Sequence, residues 1–238
     1  MKALILSAGL GTRLRQLTET TPKSLLPING KPLLSYHLES LYKYGVRDIL
    51  INTHYLHKQI NEFVKNNRDR FNGLTIQIAF EKELLGSAGT LKKNAPFFKG
   101  EDDFLVVYGD NLTNINYGKL IAAHKEKNGI ATIASYVEEH PEGKGIISFN
   151  ENGKILKFIE KPRSNKIISK YANAGIYVLN SRIFKYLNSI DKTPLDFGHD
   201  IFPYLLVKNE EMYVYKMDEI LLDIGTPESY NDAQGISI

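Results

Sequence analysis

The residues best suited to chemistry lie close behind the first apolar run. Lys2 to Leu6 is followed by Ser7-Ala8 and then Gly9-Leu10-Gly11-Thr12-Arg13-Leu14. Glycines at a strand-to-helix turn let backbone N–H groups approach an anion, and a helix start adds its positive end. A plain βα turn uses glycine equally well, so the glycines alone do not choose between the two. Two familiar phosphate patterns fail here. A dinucleotide fingerprint needs a third glycine where Leu14 stands and an acid about 20 residues further on, where Lys31 is reached instead. A Walker-type loop puts Lys directly after its last glycine, and that place is held by Thr12. Next in the chain come Arg13, a polar stretch over 15–21 able to loop over a ligand, and Pro22-Lys23-Ser24-Leu25-Leu26-Pro27. Arg13 offers a planar fork for phosphate oxygens and Lys23 a point charge held between two prolines. Both beside a glycine turn favour a triphosphate site.

Two carboxylates complement these cations. Asp110 closes the run Phe104 to Tyr108-Gly109, and Asp223 follows Ile220-Leu221-Leu222. The carboxyl ends of strands are where open α/β sheets bind ligands. One aspartate after a strand often only caps a turn; two together suit Mg²⁺, which takes one or two carboxylates plus phosphate oxygens and water. His124, His140 and His199 have no paired metal spacing. A third acid, Glu81, opens the stretch Glu81-Lys82-Glu83-Leu84-Leu85-Gly86-Ser87-Ala88-Gly89. Its carboxylate could accept from base N–H groups, while Gly86 and Gly89 permit close approach to a flat ring.

The elements that must position these groups alternate in the first half. Strands are expected at Lys2–Leu6, Asp48–Asn52, Leu74–Phe80, Phe104–Tyr108 and Ala131–Tyr136. Helices are expected around Leu34, Leu38 and Leu41, around Leu56, Ile60, Phe63 and Val64, and over Tyr117–Lys127. That rhythm implies an α/β protein with a Rossmann-like, mostly parallel mixed sheet flanked by helices. The second half changes character. Ile146–Phe149, Ile155–Glu160 and Ala174–Leu179 are short strands separated by turns such as Asn150-Glu151-Asn152-Gly153, which predicts a small antiparallel lobe. Helices near Ser181–Leu187 and Ile201–Lys208 return to α/β character, and Thr226–Ala233 closes the chain. The expected organisation is a single domain over 1–238, with a core over 1–135, a lobe over 140–180 and a return to the core over 181–238.

Composition narrows the classes. The chain has 238 residues, 42% hydrophobic and 24% charged, close to globular averages and unlike disordered or fibrous proteins. Its net charge of +3 is too small to predict nucleic-acid or polybasic membrane binding. No apolar run approaches the ~20 residues of a membrane helix, no signal peptide is expected, and a cytoplasmic location is. With no cysteine, disulfides, thiolate metal sites and a cysteine nucleophile are excluded.

GLGTRL followed by PKSLLP resembles the signature of the sugar-1-phosphate nucleotidyltransferases, the nucleotide-sugar pyrophosphorylases. The other segments appear in the family's order. YGDN and LLDIGTPESY resemble its two metal-aspartate segments, and Glu81 to Gly89 resembles the E-x-x-x-LG-[ST]-AG segment of mannose-1-phosphate guanylyltransferase-like members. Gly143-Lys144-Gly145, Phe158-Ile159-Glu160-Lys161-Pro162 and Asn173-Ala174-Gly175-Ile176-Tyr177 resemble its sugar-phosphate contacts. Ser7-Ala8 departs mildly from the Ala-Gly or Gly-Gly of many relatives. The resemblance implies the nucleotide-diphospho-sugar transferase fold, with the antiparallel lobe binding sugar. Under it, Ala8, Gly9, Leu10, Gly11, Thr12, Arg13, Lys23, Glu81 and Gly86 take the nucleotide; Gly145, Glu160, Lys161 and Asn173 take the sugar phosphate; and Asp110 and Asp223 take Mg²⁺. Without it, Glu160-Lys161 reads as an ordinary exposed pair. Arg13, Lys23, Asp110, Lys161 and Asp223 would carry the reaction of an NTP with a sugar 1-phosphate to give an NDP-sugar and pyrophosphate. GTP with a mannose- or heptose-type 1-phosphate leads. Uridylyl, thymidylyl or cytidylyl transfer to another phosphate acceptor is the alternative, since an acid at position 81 also occurs in uridylyltransferases. No nucleic-acid or membrane partner is expected, and self-association is compatible with the resemblance. A non-catalytic nucleotide-sensing subunit would be expected to have lost one of the five charged residues, and all are present.

Overall fold

A computed structural model describes residues 1–14, 16–163 and 167–238; Arg15, in the polar stretch after the glycine turn, and residues 164–166, in the expected lobe, lie outside them. In chain order the elements are β1 (Lys2–Leu6), α1 (Gln16–Glu19), β2 (Pro27–Ile28), β3 (Lys31–Pro32), α2 (Leu33–Lys43), β4 (Asp48–Thr53) and α3 (His57–Asn66). Then come β5 (Thr75–Phe80), α4 (Ser87–Lys93), β6 (Asp103–Tyr108), β7 (Asn111–Thr113), α5 (Tyr117–Lys127) and β8 (Ala131–Val137). β9 (Gly145–Phe149), β10 (Ile155–Glu160), β11 (Tyr171–Asn180), α6 (Ile183–Asn188), α7 (Phe202–Val207), β12 (Met212–Lys216), β13 (Leu221–Asp223) and α8 (Pro227–Ala233) follow. The strands and helices form the mixed, mostly parallel sheet architecture of the nucleotide-diphospho-sugar transferase fold, with small antiparallel sheets. Among the described residues no helix is long and apolar enough to cross a membrane.

The chain divides into two compact units. Unit 1 gathers Met1–Leu84, Val107–Ile115 and Glu219–Ile238; unit 2 gathers Leu85–Val106 and Asn116–Asp218. In unit 1, β1 pairs in parallel with β4, Leu4 opposite Leu50, and β4 pairs in parallel with β5. β1 and β4 are apolar without alternation because parallel strands are covered on both faces; Ala3, Leu4, Ile5, Ile49 and Ile51 are fully buried. Two short antiparallel pairs, β2–β3 and β7–β13, complete unit 1, the latter with Asp223 opposite Asn111. Ile28, Leu33, Leu112, Ile224 and Ala233 form the small core that ties these pairs to α2 and α8.

Unit 2 is built on β11, which pairs antiparallel with β8 and β9; β9 pairs antiparallel with β10, and β12 lies parallel to β8. Its core is aromatic: Tyr177 meets Phe197 and Phe202 edge-on, and Phe197 stacks on Phe202. The expected lobe 140–180 falls within this unit.

Several elements differ from the sequence reading. β11 starts three residues before Ala174 and is bulged between Asn173 and Tyr177. Leu56 caps α3 with φ +53 and lies outside it. Phe80 is half exposed and packs on His57, so the alternation of β5 lapses at its last residue. The helix expected from Ile201 begins with a wider π-turn, Phe197–Ile201.

Candidate functional site

In unit 1 the glycine turn after β1 tightens into a 3₁₀ turn over Thr12–Leu14, where the Leu14 N–H donates to the Gly11 carbonyl at 2.9 Å. Gly11 has φ +66, and a Cβ there would lie 2.8 Å from Thr18 Cγ2. Its position is fixed by the Thr18 hydroxyl, which donates to the Gly11 carbonyl. Gly9 has nothing within 4 Å of where its Cβ would be, so the backbone is open to close approach there. Leu10 and Thr12 line a cavity of about 570 Å³ with Gln16, Thr18, Glu19 and Tyr55.

Lys23 begins a 3₁₀ turn directly after Pro22. Its Nζ lies 2.6 Å from Asp110 Oδ2 and 3.7 Å from Asp223 Oδ1, with the lysine side chain 11% exposed. Asp110 stands in the turn between β6 and β7, and its carbonyl accepts from the Ile224 N–H at 2.9 Å. The β7–β13 pairing therefore holds the two aspartates beside one another. Asp223 ends a strand as expected, but that strand is a three-residue one paired antiparallel with β7. Gly225 packs close beside it: a Cβ would lie 3.0 Å from both Asp223 Oδ1 and Arg13 Nη2. Thus Arg13, Lys23, Asp110 and Asp223 converge within unit 1.

The frame of this cluster includes residues the sequence did not single out. Tyr230 Oη and Gln234 Nε2, on or just past α8, donate to the Pro27 carbonyl at 2.9 and 3.0 Å. The Asn29 N–H donates to Gln234 Oε1. The far end of α8 thus holds the segment that follows Lys23, while its near end is fixed by the Thr226–Ser229 capping box. Beneath Asp110 lies His37 of α2, buried, facing the backbone of Gly109 and Asn111. Its Nε2 has no hydrogen-bond partner among the described residues. Burial draws the imidazole down to about 4, against the opposing pull of Asp110 and those backbone groups.

Among the described residues no three His, Cys, Asp or Glu side chains form a metal cage. Asp110 and Asp223, both reached by one ammonium, fit Mg²⁺ of the kind completed by phosphate oxygens and water. Glu81 is buried: Asn52 Nδ2 donates to its Oε1 at 2.9 Å, and Asn52 Oδ1 accepts from the Ser7 N–H at 2.7 Å. One carboxylate oxygen is thus already engaged, linking Glu81 to the backbone before Ala8.

In unit 2, Glu160 ends β10 with its Oε2 against two glycines. A Cβ at Gly145 would lie 2.5 Å away, and one at Gly198 would collide outright. Burial, with Asp196 alongside, pushes the Glu160 carboxyl above the usual carboxylate range; Lys161 and His199 pull it part of the way back. Lys161 is exposed with φ +47, and its N–H donates to the Lys144 carbonyl. Asn173 is engaged in the bulge of β11, its Nδ2 donating to Tyr177 Oη and its Oδ1 accepting from the Gly175 N–H. Gly86, φ +78, fits against the Leu195 backbone, which leaves no room for a Cβ. Asp196 caps the π-turn, accepting from the Gly198 and His199 N–H groups and, at 2.7 Å, from Ser87 Oγ. Asp196-Phe197-Gly198, an acid two residues before a glycine, was the available signal for this turn. His124 is a buried structural histidine between Thr132 Oγ1 and Asp103.

The nucleotidyl transferase family model matches residues 2–236. The chain is 36% identical to a UTP–glucose-1-phosphate uridylyltransferase of Synechocystis sp., over 99% of this chain and 63% of the relative. It is 34% identical to a mannose-1-phosphate guanyltransferase of Yarrowia lipolytica, over 97% of this chain and 62% of the relative. The chain therefore spans under two thirds of the length of these relatives. The solved structure of a UDP-glucose pyrophosphorylase complexed with UDP-glucose superimposes with a TM-score of 0.86 at 22% identity, covering 98% of this chain and 97% of that one, which establishes the shared fold.

Proposed function

Given that the chain belongs to the nucleotidyl transferase family, we propose that it transfers a nucleoside monophosphate from an NTP to a sugar 1-phosphate, releasing pyrophosphate. The observation that carries this reading is the placement of Lys23 between Asp110 and Asp223, with Arg13 beside Asp223. A buried histidine, the Thr226–Ser229 capping box and Gly225 surround that one cluster.

The chemistry fits these groups. The attacking oxygen of a sugar phosphate is already anionic near neutral pH, so neither a general base nor a covalent nucleophile is needed. It forms a bond to the α-phosphorus while the bond to the bridging oxygen breaks, and that electron pair departs with pyrophosphate. The barrier is the meeting of two polyanions, which positioned cations lower. Arg13, Lys23 and the amides over Gly9–Thr12 hold the triphosphate and the pyrophosphate that leaves. Asp110 and Asp223 would hold Mg²⁺, which when bound supplies neutralisation of phosphoryl charge. In unit 2, Glu160 accepts from sugar hydroxyls and Lys161 orients the acceptor phosphate. In unit 1, Glu81, anchored through Asn52, and Ala8 are the base-side nucleotide contacts of this reading.

GTP with a mannose- or heptose-type 1-phosphate is the leading pair. UTP with glucose 1-phosphate is a second reading, favoured by the likeness to the Synechocystis enzyme. Pyrophosphate release, measured with Mg²⁺ for GTP, UTP, dTTP, CTP and ATP against a panel of sugar 1-phosphates, tests both. Release with one pair at least tenfold above the others identifies the substrates; no release with any pair would replace the enzyme by a nucleotide-sensing subunit.

A further inference from the structure

Lys23 does more in this fold than wait for phosphate. Its ammonium touches Asp110 Oδ2 at 2.6 Å and stands 3.7 Å from Asp223 Oδ1, on a side chain only 11% exposed. Two carboxylates fixed side by side by the β7–β13 pairing repel each other, and a cation between them relieves that repulsion. The lysine is well placed to be that cation. Its backbone is set by Pro22, and the segment after it is held at the Pro27 carbonyl by Tyr230 and Gln234. An ammonium is a compact point charge with three donors that can move between carboxylate and phosphate oxygens without losing partners. A divalent cation on the same carboxylate oxygens would stand within contact range of the ammonium and repel it.

We infer that Lys23 competes with the divalent cation for Asp110 and Asp223, and yields the pair when a phosphate chain draws its ammonium away. The inference rests on the reading of these aspartates as metal holders. It adds an order of events: the phosphate chain and the cation arrive together, because the one removes the obstacle to the other. It also makes a counter-intuitive demand, since deleting a substrate-binding lysine must tighten metal binding by the free protein.

The test uses Mn²⁺ as probe, with no nucleotide present. Binding is followed by the loss of the free-ion electron paramagnetic resonance signal and by the melting temperature with and without Mn²⁺. Lys23→Met and Lys23→Gln are expected to bind Mn²⁺ at least about tenfold more tightly than the wild type, the scale of one lost charge contact in a partly buried site. Mn²⁺ should also raise their melting temperatures further than it raises that of the wild type. Lys23→Arg, which keeps the charge, should stay within about threefold of the wild type. Neutral variants that bind Mn²⁺ no more tightly than the wild type overturn the competition. If Lys23→Met does not fold by circular dichroism, the Gln variant decides. The double variant Lys23→Met/Asp110→Asn separates this inference from its premise. A gain that vanishes there supports both; a gain that persists places the ion elsewhere and overturns both. With no gain at all, the metal reading is still judged independently by the Mg²⁺ dependence of turnover.

Discussion

The cluster around Lys23 and the carboxylate of Glu160 show two opposite ways of readying charge. In unit 1, Lys23 lies against Asp110 and within 3.7 Å of Asp223, so acidic charge is met by a cation before any ligand arrives. In unit 2, Glu160 is pressed between Gly145 and Gly198 with Asp196 near, and its carboxyl is pushed upward in spite of Lys161 and His199. Paired ions suit partners that are themselves highly charged, such as a triphosphate with its metal. A desolvated carboxylate suits neutral hydroxyls, which give it hydrogen bonds without asking it to surrender a cation.

The sharpest way to break this contrast is to neutralise one member of the cluster. Asp110→Asn should keep its fold, with a melting temperature near that of the wild type, and lose at least about 10²–10³ in turnover, as when one transition-state contact is deleted. Wild-type pyrophosphate release by that variant would remove Asp110 from the site. Next in size is the acid side of the stability curve. His37 is buried neutral, so its contribution is present above the ordinary imidazole range and is lost as pH falls from about 6.5 towards about 4. Relative to His37→Leu, the wild type should lose about 3 kcal/mol over that interval in urea melts. Parallel curves for the two proteins would show that the imidazole is not held neutral.

Gly198→Ala acts on the other region. Its Cβ meets Glu160, so the KM for the sugar 1-phosphate should rise about tenfold, within the cost of overpacking, while the KM for the NTP stays put. Equal changes in both constants would assign Gly198 to general packing. Glu160 predicts a pH slope opposite to that of His37. With its carboxyl raised, its favourable contribution is complete below the ordinary carboxylate range and is lost as pH rises through its shifted value. Glu160→Gln should therefore be more stable than the wild type at pH 7 and equal to it in acid. The smallest effect belongs to Tyr230→Phe, which removes one exposed hydrogen bond to Pro27 and should cost under about 1 kcal/mol in thermal melts.

Much of the charged cluster was legible from residue type and order. Arg13, Lys23 and Asp110 follow turns or strands that announce themselves through glycine, proline and unbroken apolar runs. Asp223 was legible at a strand end, but the antiparallel pairing of that strand was not, because three residues are too few to show a period. His37 could not be found: it occupies a helix face that reads as core, and its neighbours are Gly109 to Asn111, more than seventy residues on. Asp196 and Gly198 carried a local signal for their turn, but their contacts with Ser87 and Glu160, distant in the chain, were hidden for a similar reason. Contacts of this kind leave no local pattern to read.

Unit 1 is assembled from three stretches, and its last, Glu219–Ile238, carries Asp223, Gly225 and the helix that reaches Pro27. On a ribosome the first stretch emerges long before its final partner. Asn29 and Gln234 stand 205 positions apart, a separation that slows closure through loop entropy. Unit 2, by contrast, has all its residues once Asp218 has been made. The half of the protein that holds Lys23, Asp110 and Asp223 is thus the half that must wait for Glu219–Ile238 to be synthesised, and until then the lysine at 23 has only one of its two acidic partners.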